Sequence, residues 1–226
     1  ATGYLGSYIA NDILTRHPDR LAVLVRAKSL DEAKHRLWES FQLHMNFEVF
    51  RQFLKERMDL YVGDITEPAL GLDKSAKEKL LRSITSVIHC AASLNRKSEK
   101  SCLNVNLRGT LHVIGLAREA HADHGLRRFS DISTVAVAGI RRNEIVSEDR
   151  MIEWSRSDYD PYARTKKFCE YMIQQLLPDV PHTVFRPAIV MGDTRSPETT
   201  QFDMVRAFVH LSRLPIIPFS RKWRAD

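Results

Sequence analysis

The feature that most restricts this chain is an alternation of short apolar runs with longer stretches of helical period. Leu21–Val25 is apolar at every position, the pattern of a strand covered on both faces. Met58–Val62, 87–89, 127–132 and His182–Phe185 are further short runs of strand character, and the segments between them carry apolar residues at three- and four-residue intervals. Neighbouring parallel strands need a crossover, and a helix is its usual form. The pattern therefore predicts one α/β domain over residues 1–226, a doubly wound parallel sheet uninterrupted by repeat, low-complexity tract or linker.

The chain opens on Ala1-Thr2-Gly3-Tyr4-Leu5-Gly6, followed by Tyr8, Ile9, Ile13 and Leu14 at helical spacing. A glycine turn into a helix aims backbone N–H groups and the positive helix end at a phosphate, which is how dinucleotides are held. Such a turn needs a strand in front of it, and the sequence starts with neither that strand nor a methionine. The first strand is expected to be missing and the chain to be a fragment, with the tail from Pro215 stopping before the region that would close a ligand pocket. Arg26, with Lys28 nearby, ends the first apolar run where an adenosine ribose is met; an arginine there suits the extra phosphate of NADP. The plain alternative is a solvated basic loop. Residues 29–57 read as two inserted helices, with Ser29 and Glu32 as a capping box. In Gly63-Asp64-Ile65, Asp64 either accepts from an adenine amino group or makes a structural turn. Cys90-Ala91-Ala92-Ser93 offers small residues for close approach, and His89 reads as a packed core histidine.

A helix is expected over 106–119 with Val113, Leu116 and Ala117 inward, and another over 203–211. Ser133-Thr134 follows a strand, where hydroxyls can meet a substrate carbonyl or cap a turn. Asp160-Pro161 suits a helix start, and Tyr162 and Lys166 then share a face with Cys169, Ile173 and Leu176. A lysine on an apolar face beside a phenol favours phenolate, so the pair is expected to form a proton donor with a lowered pKa. The alternative is a surface tyrosine with a lysine snorkelling to water.

The net charge of +6 matters less than its distribution: the cations are spread through helices, which argues against a nucleic-acid face. Three scattered cysteines make neither a disulfide framework nor a zinc site, and no apolar run reaches the 18 or so residues of a membrane span. No Gly-x-Ser-x-Gly elbow supports a serine hydrolase. A cytoplasmic protein without metal is expected.

In order, Thr2-Gly3-x-x-Gly6, Asn106-Leu-Arg-Gly-Thr110, Ser133-Thr134 and Tyr162-x-x-x-Lys166 resemble the extended short-chain dehydrogenase/reductase superfamily, a Rossmann-like fold. Leu24-Val25-Arg26-Ala27, the helical insertion, Leu70-Gly71-Leu72, His89-Cys-Ala-Ala92 with Asn95, and Arg186-Pro187-Ala-Ile-Val-Met-Gly192-Asp193 are similar to its thioester reductase and fatty acyl-CoA reductase branch. The resemblance implies NADP(H) as cofactor and an acyl-CoA or acyl carrier protein thioester as substrate, reduced to an aldehyde or alcohol. It implies Thr134, Tyr162 and Lys166 as catalytic: Tyr162 the general acid, Lys166 its tuning charge and ribose ligand, Thr134 a donor to the substrate oxygen. Thr2, Gly3, Tyr4, Leu5 and Gly6 would cradle the pyrophosphate, Arg26 the ribose phosphate, Asp64 and Ile65 the adenine, and Ala91 the ribose. Pro187 and Ile189 complete the cofactor set, and Asn106 would position backbone near the site. One departure is that Thr134 is followed by Val-Ala-Val-Ala-Gly139, with no aromatic neighbour. Two other functions share these motifs: an NAD-dependent nucleotide-sugar epimerase or dehydratase, and an NADP-binding regulatory protein without turnover.

Overall fold

The structure, a computed structural model, describes residues 1–148, 152–190, 192–193 and 209–213. It divides into two units, Ala1–Ala188 and Ile189–Asp226, each taken by itself. The strands lie in the first unit and are all parallel. β1 (Leu21–Val25) pairs with β2 (Met58–Val62) from Leu21 against Met58 to Val25 against Val62. β3 (Ser86–His89), β4 (Arg128–Ile132) and β5 (His182–Phe185) form a second sheet with β4 in the middle. The single sheet expected from the sequence is thus present as two pieces, since β1 and β3 share no ladder.

Alternation along the strands places the cores. Val23, Val25 and Met58 are buried with Ala10 and Leu14 of α1 (Tyr4–Arg16), Leu37 and Phe41 of α2 (Leu30–Phe41), and Phe50 of α3 (Phe47–Glu56). Leu24 and Tyr61 turn to the other face, packing with Leu80 of α4 (Lys74–Ser83), Ile114 and Ala117 of α6 (Gly109–His124), Phe129 of β4 and Ile173 of α7 (Pro161–Leu176). Both faces of the β1–β2 pair are therefore covered, which is why Leu21–Val25 carries no polar residue. Phe41, Phe50 and Phe129, all fully buried, each contribute about 1.5–3 kcal/mol by leaving water.

Helix ends follow local chemistry. Ser29 Oγ accepts from the Glu32 N–H at 3.2 Å, while the Glu32 carboxylate accepts from the Lys28 N–H at 2.9 Å, one residue earlier than in a reciprocal capping box. Asn46 caps α3 by accepting from the Val49 N–H at 3.0 Å, so the insertion does divide into two helices. The helix expected over 106–119 is longer. α5 (Glu99–Cys102), a π-helical turn (Leu103–Arg108) and α6 run on to His124, capped at the start by Ser98 and ended by Gly125 at φ 81. Val113, Leu116 and Ala117 point inward as expected. The helix expected over 203–211 lies outside the described residues up to 208, and 209–212 are helical. Met191 and the tail from Pro215 also lie outside them. No helix among the described residues is long and apolar enough to cross a membrane.

Candidate active site

Helix α7 begins where its sequence requires. Asp160 Oδ1 accepts from the Ala163 N–H at 2.8 Å and Pro161 takes the first helical position, where its missing N–H costs nothing. Tyr162, 7% exposed, and Lys166, 1% exposed, then fall one turn apart on the buried face with Cys169 and Ile173; Leu176 is half-buried. From the end of β4, Ser133 and Thr134 are both buried. The Thr134 hydroxyl accepts from the Ala136 N–H at 3.2 Å, starting a short 3-10 turn, and lies near enough to the Tyr162 phenol to favour its ionised form. The fold thus brings Thr134, Tyr162 and Lys166 together.

Two charged neighbours of this trio had escaped the sequence reading. Lys166 Nζ donates to Asp131 Oδ2 at 3.2 Å and Oδ1 at 3.4 Å, and Asp131, on β4, is fully buried. The Arg96 guanidinium lies 5.1 Å from the Tyr162 ring centroid and pairs with Asp160 at 2.6 Å. Asp131 carried a signal, a carboxylate inside Phe-Ser-Asp-Ile; Arg96 carried none beyond its place after a small-residue turn.

Burial corrects the expected direction of the Tyr162 pKa. Burial pushes the phenol up, and the opposing pull of Lys166, Arg96 and the Thr134 hydrogen bond does not cancel it, so the net shift is above the ordinary phenol value. Part of the Lys166 charge is answered by Asp131 instead. Burial pulls the Lys166 ammonium down, but Asp131, followed by Cys169 and Tyr162, brings it above its ordinary value. Burial raises the Asp131 carboxyl more than Lys166 lowers it. The lysine gains more from the pair than it loses to burial. His89 is the neutral core histidine expected: burial first, then Lys166, lower it to about 3, and its Nε2 pairs with Thr110 Oγ1 at 2.9 Å.

Polar side chains fix the surrounding backbone. Asn106, 1% exposed in the π turn, accepts from the Ser93 N–H at 2.7 Å and donates to the Ser93 carbonyl at 3.3 Å and to Thr165 Oγ1 at 3.0 Å. It ties the segment after β3 to α7. Glu170 of α7, fully buried, receives the Ser133 hydroxyl and pairs with Arg186 Nη2 at 2.7 Å, joining β4, α7 and the end of β5.

The residues expected to hold a dinucleotide can be tested against its shape. Gly3 caps α1 at φ −91 with no side-chain cap and no acid in the first turn, so the leading N–H groups of the helix have no side-chain acceptor. A Cβ at Gly3 would meet nothing within 4 Å, leaving open space before these donors; at Gly6 it would come within 3.1 Å of the Ala1 backbone and 3.2 Å of Cys90 Sγ. This open helix end fits a pyrophosphate. The Tyr4 side chain is packed on Tyr8 at 4.8 Å, so Tyr4, like half-buried Thr2 and Leu5, offers its backbone. Arg26 is exposed at the end of β1, and Ala91 is exposed just after β3. Asp64 Oδ1 accepts from the Thr66 N–H and hydroxyl, each at 2.9 Å, so one of its oxygens holds the turn. The Ile65 side chain packs where a Cβ on Gly109 would come within 2.7 Å, and the Ile65 carbonyl meets His112 Nδ1 at 2.8 Å. The Pro187 carbonyl accepts from the Val135 N–H at 3.2 Å, beside Thr134. Ile189 is exposed and belongs to the second unit. No cluster of potential metal ligands occurs among the described residues. An open cavity of about 670 Å³ between the later turns of α6 and α7, lined by Arg118, Leu177 and Val180, includes none of these residues.

The family described as Male sterility protein matches residues 1–226. A carboxylic acid reductase of Mycobacterium tuberculosis is 31% identical over 210 residues, covering 86% of this chain and 18% of its own. The fatty acyl-CoA reductase wat of Drosophila melanogaster is 24% identical over 226 residues, covering 89% of this chain and 44% of its own. The crystal structure of the terminal R domain from the myxalamid PKS-NRPS biosynthetic pathway is 26% identical with a TM-score of 0.75, covering 85% of this chain and 48% of that one. The chain spans less than half the length of each relative.

Proposed function

Since the chain belongs to the Male sterility protein family, whose reductase relatives make its cofactor a nicotinamide dinucleotide, we propose that it reduces an acyl thioester with NADPH. The observation that carries this reading is that Tyr162 and Lys166 share the buried face of α7 while Thr134, just past the carboxyl end of β4, lies near enough to act on the phenol. Ligands of open parallel sheets sit at that end. The substrate we assign is a thioester on coenzyme A or on an acyl carrier protein; the relatives named as carboxylic acid reductase, fatty acyl-CoA reductase and R domain support it.

When bound, the cofactor supplies a hydride. The chain's own residues do the rest. Thr134 and Tyr162 converge on one oxygen, where their hydroxyls stabilise the negative charge that develops on a carbonyl. A phenol raised above its ordinary pKa is fully protonated at neutral pH, so Tyr162 is a proton donor ready for reduction. Lys166 adds a positive charge beneath it and N–H donors for a ribose hydroxyl. With the hydride on the acyl carbon and a proton delivered, the thiol leaves and an aldehyde remains; a second hydride gives the alcohol. The open start of α1 receives the pyrophosphate through Gly3, Tyr4, Leu5 and Gly6, following Thr2. Asp64 and Ile65 line the adenine side, while Ala91 and Pro187 line the rest. Arg26 supports NADP over NAD, because an exposed guanidinium offers two donors to a ribose phosphate where an acid would repel it. The cytoplasm is the matching place of action.

The test is cofactor absorbance with the full-length protein, offered acyl-CoA thioesters, aldehydes and nucleotide sugars with NADPH or NADH. Acyl-CoA-dependent oxidation of NADPH, faster than of NADH and reduced about 10²- to 10⁴-fold in Tyr162→Phe, is expected. Conversion of a sugar nucleotide without net cofactor loss, and silence with every acyl donor, would overturn the reading.

A further inference from the structure

We propose that Asp131 is a positioning residue of this site: its buried carboxylate holds the Lys166 ammonium and so sets how much of that charge reaches the Tyr162 phenol. The proposal rests on Tyr162 being the proton donor. Asp131 stands in the middle strand of its sheet, with His89 beside it on β3 and Val184 on β5. Neither neighbour carries a charge, because His89 is held neutral by burial. The carboxylate is fully buried, and Lys166 Nζ meets both of its oxygens, at 3.2 and 3.4 Å. A buried ion pair adds little stability over apolar side chains of the same size, so stability does not explain a carboxylate here. Its geometric effect does. The pair fixes the ammonium one helical turn below Tyr162 and leaves N–H donors for a ligand hydroxyl.

The consequence for Tyr162 follows from every charge that faces it. Lys166 and Arg96 favour the phenolate, and Asp131 opposes them. Cys169, on the same helix, is a neutral thiol pushed up to about 11 by burial. Asp160, at the cap, acts on Arg96 through their 2.6 Å contact, and Glu170 is engaged with Arg186. Removing the Asp131 charge therefore takes away what keeps the buried Lys166 ammonium protonated, and with that proton Lys166 loses its pull on the phenol.

The experiment is an ultraviolet difference titration of the full-length protein, in which each protein is compared with its own Tyr162→Phe counterpart so that only the Tyr162 phenolate is read. Asp131→Asn should raise the Tyr162 midpoint by about one pH unit, and Asp131→Glu, which restores the charge, should return most of that shift. The high-pH limb of the rate profile should move with it. A midpoint that stays in place or falls in Asp131→Asn overturns the proposal. If Asp131→Asn does not fold, a carbon-13 titration of the Asp131 carboxyl in the unmodified protein decides. An ionised carboxylate whose resonance moves as Tyr162 ionises supports the proposal, and a carboxyl protonated at neutral pH overturns it. Both spectroscopic readouts need no substrate, so a failure of the thioester assignment would show as absent turnover with the titrations unaffected.

Discussion

His89 sits 4% exposed on β3 with its Nε2 on Thr110, and burial followed by the Lys166 charge takes its pKa from 6.5 to about 3. The unfolded chain takes up a proton below pH 6.5 that the folded protein refuses. His89 therefore contributes stability that is complete above pH 6.5 and is lost as the pH falls towards 3, at up to about 1.4 kcal/mol per pH unit. Denaturant midpoints measured between pH 6.5 and 4 should fall more steeply for the native sequence than for His89→Gln; parallel slopes would show that the ring is protonated or solvated in the fold. At this scale the sequence was informative where one element decides the outcome. Tyr162 and Lys166 share the buried face of α7 because 3.6-residue periodicity puts them there. The sign of the Tyr162 shift could not be read this way. It is set by burial that only the packed fold creates, against the pull of Lys166 and of Arg96, which reaches the site from the segment after β3.

At the scale of elements, α7 carries the site on a cap that is both local and distant. Asp160 accepts from the Ala163 N–H at 2.8 Å and also pairs with Arg96 at 2.6 Å. Asp160→Ala should destabilise by about 1 kcal/mol, chiefly through the lost cap, since the partner arginine is largely exposed and its ion pair adds little. In a domain of this size that is a fall of about 2–4 °C in Tm. Calorimetry should show that loss in Asp160→Ala and little of it in Asp160→Asn, which can still cap; an equal loss in both would place the effect in the charge pair instead. Caps of this kind were legible, as Ser29 and Asp160 show. The extension of the α6 helix back to Glu99 was not. Ser98 supplies its cap, but the π turn that turns Asn106 onto Ser93 and Thr165 follows from contacts with α7 and leaves no periodic mark.

Across the whole molecule, the alternation of apolar runs and helical stretches settled the class of fold, because parallel strands and their crossovers leave that pattern wherever both faces are covered. The division into a β1–β2 pair and a β3–β4–β5 sheet was not visible, since pairing between strands far apart in sequence has no local signature. The glycine turn was read correctly as a helix start, with open space before Gly3. In the function we propose, Thr134 from the end of β4, Tyr162 and Lys166 from α7, and the bare end of α1 supply the parts: two hydroxyls for one oxygen, a charge beside them, and donors for a dinucleotide. Hydride delivery to the acyl carbon is tested most directly with NADPH deuterated at the transferring position and an acyl-CoA, using mass spectrometry of the aldehyde or alcohol formed by the full-length protein. Deuterium at the former thioester carbon, absent when Tyr162→Phe is used, is the result expected. Thiol release without label in the product would contradict it, showing hydrolysis in place of reduction.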